Sequence, residues 1–220
     1  MANWIVKGNT LENYLQACRD AVKNITTFKQ DERLHAIFEH CPKSIADEYY
    51  KIIPESLLNK GWTNDFYGSP QMYNYGQKRF STSTLQYIGV LSKLIELFGP
   101  LTGKRICEIG GGYGGQCRTV TDMFFPECYH IIDLPEVCEL QRKYCQADCY
   151  TQPTGQEYDL VISNYALSEI PDNKLYIDEV VKRSKHGYIT CNTDLVQLDF
   201  PHSRIPDIKG ERETNYILVW

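Results

Sequence analysis

Between Arg105 and Gln116 the chain reads Arg-Ile-Cys-Glu-Ile-Gly-Gly-Gly-Tyr-Gly-Gly-Gln, with Glu108 two residues before Gly110. Five of the six positions from Gly110 to Gly115 are glycine. Residues 105–109 read as a strand and residues 115–125 as a helix, so the run is the loop joining them. Glycine there lets backbone come close to a ligand and adopt conformations closed to other residues. Open α/β sheets bind ligands at the carboxyl ends of their strands, which is where this loop lies. Further groups able to do chemistry fall at later strand ends. Asp133 closes one predicted strand, Asn164, Tyr165 and Glu169 follow another, and His202 and Arg204 sit in a Pro-flanked loop.

Two ligand classes fit the loop. Gly110, Gly112 and Gly115 match G-x-G-x-x-G, the dinucleotide fingerprint, with Asp133 downstream where a ribose-binding acid belongs. Glu108, Gly110, Gly112 and Gly114 equally match the E/D-x-G-x-G-x-G pattern of class I methyltransferases. Three features favour the second. A carboxylate at Glu108 can pair with the cationic methionine end of S-adenosylmethionine, whereas beside a pyrophosphate it is repelled. About a hundred residues precede the loop, leaving room for one α/β unit and not two nucleotide-binding halves. The sequence closes on Tyr216-Ile217-Leu218-Val219-Trp220, an apolar strand, as class I methyltransferases do with an antiparallel last strand.

The same run resembles a family of sugar O-methyltransferases from bacteria and large DNA viruses. So do Ile132-Asp133-Leu134-Pro135-Glu136-Val137, residues 163–171 (SNYALSEIP), residues 80–85 (FSTSTL) and the terminal Ile217-Leu218-Val219-Trp220; the resemblance covers roughly residues 64–220. The resemblance implies S-adenosylmethionine as cofactor, S-adenosylhomocysteine as product, and a sugar hydroxyl, such as that of a deoxyhexose in a surface glycan, as acceptor. By resemblance and strand-end position, Glu108 and Gly110 take the methionine moiety, with Gly112, Tyr113 and Gly114 completing the loop. Asp133 takes the ribose hydroxyls, Leu134 an adenine face, Asp148 the adenine edge, and Asn164 the ground between cofactor and acceptor. Thr82 and Ser83 cap the methionine carboxylate. Transfer from sulfonium to oxygen is an in-line displacement in which positioning supplies about 7–11 kcal/mol in favourable cases. His202 or Glu169 is the expected general base, and His35, His40, His130 and His186 read as structural. Tyr165, Arg204, and Tyr67, Tyr73 and Tyr75 of the aromatic stretch 61–79 are expected to touch the acceptor. Asn164 and Asn192 stand where metal-dependent relatives carry acids, so no metal is expected. A phenolic or other small-molecule acceptor, an NAD-dependent oxidoreductase and a non-catalytic module are the competing readings.

These groups need a scaffold. Residues 1–79 read as helical, with Thr10 capping a helix over 11–24, further helices over 28–40, 45–53 and 55–59, and the aromatic connector 61–79. Residues 80–220 read as the α/β domain, a Rossmann-like class I methyltransferase sheet with helices on both faces. Its expected helices span 84–98, 115–125, 135–145 and 172–185. Its strands span 105–109, 129–133, 147–150, 160–164, 188–192, a short 203–208 with Gly210 at the turn, and 216–220. The short stretch between the last long strand and the terminal one leaves the acceptor pocket to be completed by the N-terminal helices or by a second subunit of a homodimer.

Composition narrows the class. Net charge is −5 with the signs well mixed, so no basic stripe suggests nucleic acid or a membrane surface as partner. The N-terminal residues lack the pattern of a signal peptide, which points to a cytoplasmic protein. Nine cysteines, an odd number with no C-x-x-C pair, read as reduced and apolar.

Overall fold

In a computed structural model the protein is described over residues 10–208 and 215–220. The expected turn at Gly210 lies outside them. Helix α1 (Leu11–Lys23) starts where Thr10 Oγ1 accepts the Asn13 N–H at 3.2 Å. Its stripe of Tyr14, Ala17, Cys18 and Ala21 is buried. A 3-10 turn (Phe28–Gln30) and α2 (Glu32–Phe38) replace the single helix expected over 28–40. Asp31 interrupts it: its carboxylate accepts the Arg33 N–H at 3.0 Å and caps α2. Then come α3 (Lys43–Ile52) and α4 (Glu55–Leu58).

The connector 61–79 holds order that its composition hid. Strands β1 (Tyr73–Tyr75) and β2 (Lys78–Phe80) form a hairpin closed through Gly76, whose φ is +64°. Helix α5 (Thr82–Phe98) follows, capped by Ser81 and ended by Gly99 at φ +71°. Against it α3 packs so closely that a Cβ on Gly89 would lie 2.2 Å from the Tyr49 ring.

The main sheet contains β3 (Arg105–Ile109), β4 (Cys128–Ile132), β5 (Asp148–Tyr150), β6 (Tyr158–Asn164), β7 (Ser184–Cys191), β8 (Ser203–Pro206) and β9 (Tyr216–Val219). Their order is β5-β4-β3-β6-β7-β9-β8. The first five are parallel, and β9 runs antiparallel between β7 and β8. Helices α6 (Gly115–Thr121), α7 (Pro135–Cys145), the four-residue α8 (Ala166–Glu169) and α9 (Lys174–Tyr176) make the connections. Alternate strand residues bury two faces. Ile106, Ile131, Leu160 and Ile162 meet Leu85, Ile88 and Leu91, while Cys107, Ile109, Val161 and Ile189 meet Leu167, Val180 and Val181. Tyr14, Leu34 and Phe38 of the N-terminal helices join Tyr113, Val137, Leu140 and Tyr144 in a third cluster.

The helix expected over 172–185 is shorter and partly π-helical, over Lys174–Tyr176 and Ile177–Val181. Helix α9 continues directly into that π-helical segment, where the Lys182 N–H bonds Ile177 O five residues back. The strand then begins early because Ser184 already pairs with Tyr158.

Candidate functional site

The glycine loop turns on positive φ at Gly110 (+72°), Gly112 (+55°) and Gly114 (+94°). Gly110 is also held by proximity: a Cβ there would stand 2.0 Å from that of Ala166. Ser163 ties the two loops, donating to Ile109 O at 2.9 Å and accepting the Leu167 N–H at 3.0 Å. Tyr165, which starts α8, takes φ +71°, a conformation worth about 1–3 kcal/mol of strain. Its hydroxyl donates to Asp207 Oδ2 at 2.7 Å and its N–H to Thr190 O at 3.0 Å, which hold it there.

A cavity of about 310 Å³ opens above these loops, within the size of small-ligand sites. Glu108, Gly110, Gly111, Gly112 and Asp133 line one end. Asn164, Tyr165, Ala166, Glu169, Asn192 and Asn215 line the other. The cover comes from Tyr14, Ile37, Phe38 and His40 of the N-terminal region and from Gln86 and Tyr87 of α5.

Glu108 is 2 % exposed and its Oε2 accepts the Tyr129 hydroxyl at 2.8 Å. Burial pushes its carboxyl up to about 7, with Tyr129 opposing and Asp133 adding to the rise. Asp133 accepts its neighbour Leu134's N–H and the Gln141 amide, each at 2.8 Å. Burial raises it to about 6, against those hydrogen bonds and the amides of Gly111 and Gly112. Among the described residues neither carboxyl has an ion-pair partner. Glu169 is likewise raised by burial, while the Asn192 amide, donating at 2.7 Å, lowers it.

Two aromatic rings pack near the amino end of α6. A Cβ on Gly115 would lie 2.2 Å from the Tyr87 ring, and one on Gly112 3.6 Å from the Phe38 ring. The Tyr87 and Phe38 rings thus pack close to the backbone of the glycine loop.

Of the residues expected at the site, Glu108, Gly110, Gly112, Asp133, Asn164, Tyr165 and Glu169 come together around the cavity. Others do not. Asp148 opens β5 opposite His130 and is exposed, because the strand starts there and reaches its carboxyl end only at Tyr150. Tyr113 is buried in the aromatic cluster behind the loop, its hydroxyl accepting from Asn64. Gly114 packs on Cys145, and Leu134 stands exposed beside Asp133. Thr82 and Ser83 are buried, with Ser83 Oγ donating to Glu39 at 2.8 Å; the cavity is met one turn later, by Gln86 and Tyr87. Tyr67 packs on Arg118, and Tyr73 and Tyr75 lie beside Lys43; none of the three lines this cavity. His202 is exposed with Nδ1 2.8 Å from Phe200 O, and Arg204 stacks 3.4 Å over Tyr216, both outside the cavity. His40, read from sequence as structural, lines it. Its place after the last turn of α2 gave no signal, because only the chain path brings that turn over the loop.

The strand order with an antiparallel β9 inserted beside β7 defines the Rossmann-like fold of class I methyltransferases. No family model and no curated protein matches the sequence. Among solved structures, the chain is similar to the magnesium protoporphyrin IX methyltransferase of Synechocystis PCC 6803, solved with bound S-adenosylmethionine. Identity there is 13% over 80% of this chain and 94% of that one, with TM-score 0.46. It is also similar to a Thermoplasma acidophilum protein, at 15% identity over 63% and 87% of the two chains, with TM-score 0.43. An S-adenosylmethionine dependent methyltransferase from Mesorhizobium loti gives 17% identity and TM-score 0.39; the match covers 46% of this chain and 52% of that one, about half its length.

Proposed function

We propose that this chain is an S-adenosylmethionine-dependent O-methyltransferase acting on a sugar hydroxyl. The observation that carries the cofactor is the pair Glu108 and Asp133, two carboxyls facing one cavity beside the glycine loop with no cation among the described residues to balance them. A ligand bearing an ammonium and a sulfonium supplies that balance, whereas a dinucleotide adds negative charge. When bound, the cofactor supplies a methyl group already activated for displacement. Glu108 would hold the methionine ammonium, and Asp133, fixed by Gln141 and the Leu134 amide, would accept the ribose hydroxyls. Tyr14 and Phe38 shield this end from water.

The acceptor end supports a hydroxyl-rich ligand. Asn164, Glu169, Asn192 and Asn215 offer amide and carboxyl groups that donate to and accept from several hydroxyls at once. The test is calorimetric titration of the protein with S-adenosylhomocysteine and with NAD, beside Asp133→Ala. Binding of the former, lost in the variant, supports the reading. Binding of NAD instead returns the loop to the dinucleotide class. Transfer of labelled methyl to free deoxyhexoses but not to phenols would support the sugar acceptor, and the reverse would replace it.

A further inference from the structure

One amide in the cavity wall is buried and yet unengaged. We infer that this amide, of Gln86 on α5, receives the carboxylate of the cofactor's methionine moiety, so that a neutral donor and not a cation holds that anion. The inference rests on the methyltransferase reading above.

Gln86 is 5 % exposed and lines the cavity. Its side-chain amide makes no hydrogen bond among the described residues. Gln116 and Gln141 also keep an Oε1 without a partner, but theirs are enclosed in protein. The Gln86 amide is not enclosed, and the cavity is the open space it meets. A buried amide with donors to spare is costly unless something bonds it. Its helix sets it over the glycine loop. One turn earlier Ser83 Oγ donates to Glu39 at 2.8 Å, and at the next residue the Tyr87 ring lies where a Cβ on Gly115 would be 2.2 Å away. Gln116 Nε2, donating to Tyr87 O at 3.3 Å, ties this turn to α6. Burial first, then the charges of Glu39 and Glu108, raise the Tyr87 hydroxyl, so the turn lies within reach of the Glu108 carboxyl.

The charge of the walls decides what this amide meets. Glu108, Asp133 and Glu169 line the cavity, and no lysine or arginine is among its lining residues. The methionine end carries its ammonium and carboxylate on one carbon. With the ammonium at Glu108, the carboxylate lies close by, where the acids repel it and neutral donors must hold it. Most of those donors are engaged. Tyr165 donates to Asp207 and the Asn192 amide to Glu169, while the Tyr14 and Tyr87 hydroxyls bond Cys18 and Tyr113. Asn215 already has a partner. Asn164 closes β6 beside Tyr165, on the acceptor side. Gln86 Nε2 thus donates to the carboxylate, a bond strengthened by the acceptor's charge.

The test needs no acceptor. Calorimetry compares S-adenosylhomocysteine with its decarboxylated analogue, which keeps the ammonium, and with methylthioadenosine, which lacks both groups. Gln86→Met keeps the bulk and removes the donor. It should weaken S-adenosylhomocysteine by about 10–150-fold, the worth of a hydrogen bond to a charged group, and leave the other two ligands as in wild type. Gln86→Glu should weaken S-adenosylhomocysteine further by repulsion and tighten the decarboxylated analogue, whose one charge is positive. A purely structural role cannot produce that reversal. Equal losses for all the ligands, or S-adenosylhomocysteine affinity unchanged in Gln86→Met, overturn the inference and leave the methyltransferase reading standing. A wild type that does not bind S-adenosylhomocysteine overturns both.

Discussion

Glu108 shows what one side chain does when the chain puts it in the wrong solvent. It is 2 % exposed, its carboxyl is pushed up to about 7, and it accepts the hydroxyl of Tyr129. A cationic ligand favours the ionised form, and Asp133, raised to about 6, behaves alike. Affinity for S-adenosylhomocysteine, whose ammonium keeps its charge in this range, is therefore expected to fall as pH drops through 7 and then 6, which calorimetry at several pH values would read. Affinity that stays level from pH 8 to 5.5 would mean that these carboxyls do not meet the ligand. Replacing Glu108 with Gln removes a hydrogen bond to a charged group, a loss of about 1.5–3 kcal/mol in binding.

Two loops meet at the level of elements, and their fit decides whether the cavity exists. The β3–α6 loop lies against the start of α8 where Gly110 faces Ala166, the two joined through Ser163. Gly110→Ala should weaken cofactor binding twice over, by the collision at 2.0 Å and by the backbone cost of a side chain at φ +72°, about 1–2 kcal/mol. Adding Ala166→Gly removes the collision only, so titration should find partial rescue; full rescue or none would contradict this account. Much of this contact was readable in advance. Strand β3 falls on the predicted residues 105–109 and α7 on 135–145, because an apolar run between charged residues, and Pro135 at a helix start, leave little choice. Where the reading failed, packing at a distance had overruled local pattern. Ser184 and Lys185 belong to β7 through pairing with β6, although sequence assigns them to the preceding helix. Asp148 misses the site because β5 begins at that residue, a boundary that hydrophobic alternation does not fix. The wall formed by Tyr14, Phe38 and His40 comes from residues more than sixty positions before Glu108, and no local spacing announces such a contact.

For the molecule as a whole, the same carboxyl links function to folding. Glu108 rises from an ordinary 4.5 to about 7 on folding, so between those values the folded chain binds more protons than the unfolded one. Its contribution is then best at low pH and is lost as pH rises from 4.5 through 7, a cost of about 3 kcal/mol once ionised. Chemical denaturation should find Glu108→Gln more stable than wild type at pH 8, with the advantage shrinking toward pH 4.5. A variant less stable at both would show that Tyr129 or the cavity offsets the burial. Added S-adenosylhomocysteine should raise the wild-type melting temperature more at pH 8 than at pH 6, since the ligand favours the ionised state.

Phe38 and His40 stand two residues apart at the end of α2, one against Gly112 and the other beside Tyr165. If the donor binds as proposed, the strip of backbone that walls it in is thus also the strip that covers the acceptor end. Any displacement of this segment that admits the proposed cofactor then opens the acceptor end as well. Kinetically, such an enzyme has a compulsory order: the donor enters first, the acceptor meets a finished site, and the spent donor leaves last. Product-inhibition patterns would display that order, with S-adenosylhomocysteine competing against the donor alone.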